Sequence, residues 1–330
     1  MINDGSNETS VQQTDGPRPL RDARPVGVDV LDRLRAFSKL EDADAGTSEE
    51  QRYIETANGR LFTTLVEPLG ARREVGFVIC HSFGFEQFEL FPLELLFARR
   101  AAAAGFPSIY VQARGYGDSG GDLAMASPQT HVRDVLAAQE DLVERTSVRG
   151  VVPLGARFGA AVALMAAGAL GAPGVALWQP SLDPGAYLDG LLRAYSRSQV
   201  VEAGEGSDVA RPSTKTLQAS LSSGEQVDLL GFPLSAAFYA AAKASRPLDT
   251  IARPPQRALF LAVNPLADKE IARGAARLEG LGVPVSVTRA EGPGHGTFGL
   301  GLPVSGHLAT NRELFEDVVR RTVGWAEEVW

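Results

Sequence analysis

A strand, a tight turn framed by glycines and an alanine-rich helix follow one another between residues 150 and 170, and this join constrains the chain more than any other stretch. Gly150-Val151-Val152-Pro153-Leu154 reads as a short buried strand, and Phe158 to Leu170 as a helix packed close against a sheet. Between them, Gly155-Ala156-Arg157-Phe158-Gly159 has the spacing Gly-x-Ser-x-Gly with an arginine in the serine's place. Such a turn forces unusual backbone angles and brings strand and helix backbones together, so a side chain at either glycine would obstruct it. A serine at the centre would be a nucleophile. A guanidinium stays protonated and does not attack carbonyl carbon, which excludes an acyl-enzyme through position 157.

The flanking pattern predicts an α/β fold. Asn58-Gly59, between Arg52–Thr56 and Leu61–Glu67, is a hairpin signal because both turn positions tolerate positive φ. Strands and helices then alternate: strand Gly76–Cys80, helix Leu90–Gly105, strand Ser108–Gln112, helix Gln129–Thr146, the join described above, and strand Gly174–Trp178. The rhythm returns with strand Arg257–Val263, helix Lys269–Leu281, strand Pro284–Thr288 and a final helix Asn311–Glu328. An antiparallel hairpin followed by β-α repeats implies a mostly parallel sheet covered by helices on both faces.

Residues 182–253 interrupt the rhythm with a helix from Ala186 to Val200, a Gly/Ser/Asp-rich excursion from Ala203 to Glu225 and an apolar stretch from Phe232 to Ala242. Inserted between two sheet strands, they are expected to cap the carboxyl edge where ligands bind in such folds. The core is then 48–181 with 254–330. At the start, residues 1–27 are polar enough to read as a flexible tail. Val30, Leu31, Leu34, Phe37 and Leu40 recur at helical spacing, predicting an amphipathic leader helix within 28–47 that docks on the domain or on a partner.

Charge and cysteine usage narrow the function classes. A net charge of -8 argues against nucleic acid or an anionic membrane as the main partner, because both require a basic face. The single cysteine, Cys80, rules out an internal disulfide and a cysteine-based metal cluster, and no metal or cofactor is expected. Without a secretory leader pattern or a run of about eighteen apolar residues, the chain reads as cytoplasmic with no membrane span. Its oligomeric state is not encoded in any recognisable pattern.

Four local features carry a resemblance. His81-Ser82-Phe83-Gly84 ends strand Gly76–Cys80; Arg114-Gly115-Tyr116-Gly117-Asp118-Ser119-Gly120 follows the next strand; Asp268 lies just past Arg257–Val263; His295, in Gly292-Pro293-Gly294-His295, lies just past Pro284–Thr288. In these the chain resembles the α/β-hydrolase superfamily, in its serine-aminopeptidase-like or lipase-like branch, from about residue 50 to residue 330. It is also similar to the exosortase-system-associated hydrolases in its Gly-x-Arg-x-Gly-Ala elbow (155–160), in Trp178-Gln179-Pro180 and in the helix Tyr187-Leu188-Asp189-Gly190-Leu191-Leu192-Arg193.

The resemblance implies a triad-like order of elbow, acid and histidine, here Arg157, Asp268 and His295. It further implies an oxyanion and substrate-binding loop at His81, Ser82 and Phe83, with Phe158 beside the elbow. The glycines of the Arg114 loop allow a sharp return of the chain, and Arg114 is expected to tie loops together. Asp118-Ser119-Gly120 mimics a protease motif by coincidence, since the accompanying two-barrel architecture is missing.

Each candidate has a second reading. Asp268 is either the acid or the N-cap of the following helix, with Asp183 in reserve. His295 is preferred over His307 because its glycine-rich loop directly follows the last strand, and His131 is read as solvated on a helix. Cys80 reads as a small buried hydrophobe, and Ser82 as a better-placed substitute nucleophile. Arg157 requires a carboxylate of the insertion or a ligand carboxylate or phosphate as its partner. The chain is therefore expected to be a non-standard hydrolase or lyase-like enzyme acting on an acyl, ester-type or anionic small molecule, or else a silent binding or accessory protein on the same scaffold.

Overall fold

Among the described residues, paired antiparallel strands come first and feed a parallel sheet. The structure, a computed structural model, describes residues 38–202, 212–291 and 312–330. Strands β1 (Lys39–Asp42), β2 (Thr47–Thr56) and β3 (Gly59–Pro68) run antiparallel, with Thr56 paired to Gly59 across the turn and Gly59 at φ 106°. Next in the chain are β4 (Val75–Cys80), helix α1 (Glu86–Ala103), β5 (Ser108–Val111), α2 (Pro128–Thr146), β6 (Gly150–Ala156), α3 (Phe158–Leu170) and β7 (Val175–Trp178). After an insertion come β10 (Ala258–Ala262), α7 (Asp268–Glu279), β11 (Val285–Arg289) and α8 (Arg312–Val329).

The nine-stranded sheet has the order β1-β2-β3-β5-β4-β6-β7-β10-β11, parallel from β5 onward. Its central strands are buried end to end, as a sheet covered on both faces demands. Leu93, Phe97 and Ala101 of α1 and Val318 of α8 pack with Phe77 and Leu154 on one face. Val135 and Ala138 of α2, Ala163 of α3 and Leu278 of α7 pack with Val78 and Leu177 on the other.

The insertion between β7 and β10 comprises α4 (Pro184–Glu202), α5 (Thr214–Ser222), the hairpin β8 (Val227–Leu229) and β9 (Phe232–Leu234), and α6 (Ala236–Ala244). Asp189 of α4 clamps it, accepting hydrogen bonds from Gln218 (3.0 Å), Tyr239 (2.7 Å) and Lys243 (2.8 Å). Burial works against its charge, but these donors outweigh it and hold the Asp189 carboxyl below its ordinary range. Phe238 of α6 packs on Phe83 and Phe158, and Phe232 of β9 stacks on Tyr116, so the insertion seats on loops at the carboxyl ends of β4, β5 and β6.

Three expectations change. Lys39–Asp42 is a strand where a leader helix was expected, because Asp42 accepts the Ala45 N–H and Gly46 takes φ 67°, turning the chain into a hairpin that overrides the apolar spacing. Residues 28–37 of that leader, like the 1–27 tail, lie outside the described residues. Residues 214–222 of the polar excursion form α5, started by the Ser213 side chain accepting the Thr216 N–H. The apolar stretch after Gly231 splits into β9 and α6, because Ser235 starts a new helix by capping Phe238.

Candidate active site

The elbow forms where β6 passes directly into α3. Arg157 takes φ 55° and ψ -118°, a region that residues with a Cβ seldom visit. Three backbone bonds hold it there: its N–H donates to Trp178 O (3.1 Å), and its carbonyl accepts from Ala160 N (3.2 Å) and Ser181 N (3.1 Å). The glycines on either side are required by contact. A Cβ on Gly155 would stand 2.2 Å from the Gly159 carbonyl oxygen, and one on Gly159 would stand 2.1 Å from the Cys80 carbonyl oxygen. The loop after β4 therefore lies against the first turn of α3.

Trp178-Gln179-Pro180 braces this arrangement. Gln179, at φ 41°, donates to the Asn264 side chain (2.6 Å) and accepts from the Val263 N–H (2.7 Å), linking the ends of β7 and β10. Trp178 donates to Thr322 of α8 (2.9 Å).

The arginine's counter-charge is Glu86, in the first turn of α1. Arg157 Nε lies 3.5 Å from Glu86 Oε1, with side chains 12% and 4% exposed. This is a charge pair without hydrogen-bond alignment, since neither atom has a hydrogen-bond partner among the described residues. The guanidinium lies 5.8 Å from the centre of the Tyr187 ring. The other oxygen of Glu86 is occupied: Oε2 accepts from Ser82 Oγ (2.9 Å) and from the Tyr187 hydroxyl (2.7 Å). The partner is a carboxylate of the core, not one of the insertion.

A second carboxyl, Glu89, lies one turn along α1. Burial first, and the neighbouring Glu86 second, push it up to about 7.

His81 does not face the elbow as a free ring. Its Nε2 accepts the Ala113 N–H (3.0 Å), so the proton is on Nδ1, which donates to Ser82 O (2.6 Å). Burial holds it below the usual imidazole range, and it ties the ends of β4 and β5 together. His131 is buried rather than solvated, because the inward face of α2 meets the insertion. Its ring lies 5.6 to 6.0 Å from those of Tyr116, Phe158, His81 and Phe238. Phe83 and Phe158 are buried in the same cluster, 5.8 Å apart. Cys80 is buried, and burial pushes its thiol up, which makes it inert.

The remaining candidates resolve as follows. Arg114 pairs with buried Asp134 through Nε and Nη2, fixing the glycine loop to α2, and Ser119 donates to Gln112 O (2.6 Å) and accepts the Phe62 N–H (2.8 Å), a structural post. Asp268 opens α7 with no capping bond to it, and its half-exposed carboxylate accepts from Arg289 (2.6 Å). Asp183 caps α4 by accepting the Ala186 N–H (2.9 Å). His295 and His307 lie outside the described residues. Glu86 escaped the sequence reading because an acid in the first turn of a helix is ordinary; only its place four residues after Ser82 distinguishes it. Among the described residues no helix is long and apolar enough to cross a membrane.

No family model and no curated protein matches the sequence. The fold has many solved counterparts. Est1E from Butyrivibrio proteoclasticus, solved with ferulic acid bound, matches at TM-score 0.59 and 13% identity, over 84% of this chain and 98% of that one. Alpha/beta hydrolase domain-containing protein 10 from mouse matches at 0.53 and 12%, over 85% and 100%. Carboxyl esterase 2 from Tuber melanosporum matches at 0.53 and 13%, over 88% of each. With the nine-stranded sheet, the helices on both faces and the glycine-framed elbow, these likenesses establish that the chain has the α/β-hydrolase fold.

Proposed function

We propose that this protein is a non-standard hydrolase-type enzyme, acting on an acyl, ester-type or carboxylate-bearing small molecule, in which Arg157 holds a ligand oxygen instead of attacking a carbonyl. The observation that supports the reading is the guanidinium at the elbow, whose Nε faces Glu86 at 3.5 Å without a hydrogen-bond partner among the described residues. A fork of that kind suits a carboxylate or a polarised carbonyl oxygen. Asp268 and His295 keep the acid and base positions in this reading, and the insertion acts as a cap.

The charge pair with Glu86 favours a second reading, a silent binding or accessory protein, because a neutralised cation needs no ligand. Turnover of a panel of esters, thioesters and amides separates the two. The enzyme reading expects turnover that falls at least tenfold in Arg157→Met and in His295→Ala. No turnover by the folded wild-type protein, with carboxylate ligands still bound, would establish the binding reading instead.

A further inference from the structure

In the α/β-hydrolases the elbow presents the nucleophile, and the loop after the corresponding strand presents oxyanion-binding N–H groups. Here the elbow carries a cation and that loop carries a hydroxyl. Ser82 Oγ donates to Glu86 Oε2 at 2.9 Å, while Arg157 Nε faces the other oxygen of the same carboxylate at 3.5 Å. A hydroxyl and a cation thus share one carboxylate, among largely buried side chains where electrostatic effects are strong.

We propose that the two roles are exchanged: Ser82 is the nucleophile towards an acyl carbonyl, Glu86 is its general base, and Arg157 stabilises the oxyanion. The inference rests on the reading of Arg157 as an oxygen-holding residue and puts Glu86 in place of His295 as the base. Ser82 Oγ bonds to the carbonyl carbon as its proton passes to Glu86 Oε2, and the carbonyl π electrons move to the oxygen beside Arg157. Collapse of that intermediate breaks the bond to the leaving alkoxide or thiolate, which takes the proton from Glu86. Water then attacks the Ser82 ester, giving its proton to Glu86, and the carboxylic acid leaves as Ser82 recovers its hydrogen. No oxidant, reductant or metal enters the balance.

Tyr187 gates this site. Its hydroxyl donates to Glu86 Oε2 at 2.7 Å and lies 3.5 Å from Ser82 Oγ, so it both covers the serine and competes for the base. Substrate reaches Ser82 when the Tyr187 side chain on α4 withdraws. The substrate class follows from the carboxylate base, which is weaker than an imidazole: esters and thioesters with good leaving groups rather than amides.

The test is labelling of the full chain with a fluorophosphonate, followed by peptide mapping and by ester turnover. The expected adduct lies on the peptide holding Ser82 and is lost in Ser82→Ala. Glu86→Gln slows labelling at least tenfold, whereas Tyr187→Phe speeds it by freeing Glu86. Near-UV circular dichroism confirms folding, and if Glu86→Gln fails to fold, the Tyr187→Phe rate and the Ser82→Ala map still decide. Turnover with no adduct on Ser82 and no effect of Ser82→Ala overturns this proposal but leaves the oxygen-holding Arg157 intact. Neither adduct nor turnover in the folded protein overturns both.

Discussion

Arg157 Nε, at the glycine-framed turn between β6 and α3, and Glu86 Oε1, in the first turn of α1, stand 3.5 Å apart. Both side chains are largely buried, so removing one strands the other's charge. Arg157→Ser, although it restores the Gly-x-Ser-x-Gly pattern, is expected to lower stability by about 2 to 4 kcal/mol. Adding Glu86→Gln to Arg157→Ser should recover part of that loss, because the double variant buries no charge at the site. Urea unfolding of the wild type, both single variants and the double variant measures the coupling. Additive losses would show that the two groups do not interact.

Gly159 gives a sharper packing prediction. Its missing Cβ leaves room for the Cys80 carbonyl oxygen, which a methyl group would approach to 2.1 Å. Because the obstacle is backbone, relief requires β4 and α3 to separate. Gly159→Ala should therefore cost about 3 kcal/mol or more and appear as a fall in thermal midpoint or as loss of soluble protein. Gly282→Ala is the control: its Cβ meets no atom within 4 Å, so only the strain of its φ of 80° remains.

Local chemistry made much of the fold legible. Asn58-Gly59 sets the β2–β3 turn, and Gly155 and Gly159 set the elbow, because each of these positions requires a backbone state or a proximity that few residues supply. Leu40 could not be read, since its helical spacing competes with a hairpin turn that only the pairing of Lys39–Asp42 with β2 reveals. At the site, Arg157 was legible as an anomaly, but its partner was not. Glu86 and Tyr187 reach it from α1 and α4, and one sequence does not state which of many acids meets an arginine across the fold. His131 was misread for the same reason: nothing in α2 shows that the insertion covers it.

His131 should make the protein acid-sensitive. Burial first, then coupling to the neighbouring His81 and the charge of Arg114, hold its imidazole well below the ordinary value of 6.5. Above that value both folded and unfolded chains carry it neutral and it has no effect. As pH falls below 6.5 the unfolded chain takes up a proton that the folded chain refuses, so stability drops. His131→Phe should therefore lose less stability than wild type between pH 6.5 and 5, by about 1 to 2 kcal/mol. Thermal midpoints of both proteins across that range are the measurement, and parallel curves would remove His131 as the cause.

Glu94 sets the opposite slope on the alkaline side. It is fully buried on α1, neither carboxylate oxygen has a hydrogen-bond partner among the described residues, and burial pushes it up to about 8. Below the unfolded value of 4.5 both states hold the proton and no stability is lost. Between 4.5 and about 8 the unfolded chain releases a proton that the folded chain retains, so stability declines with rising pH and levels off above about 8. Glu94→Gln keeps the shape and cannot ionise. It should lie within about 1 kcal/mol of the wild type near pH 5 and gain roughly a further 3 to 4 kcal/mol on it by pH 8. Urea unfolding at the two pH values decides the matter: an equal gap at both would mean that the carboxyl is already charged in the fold, with a buried partner neutralising it.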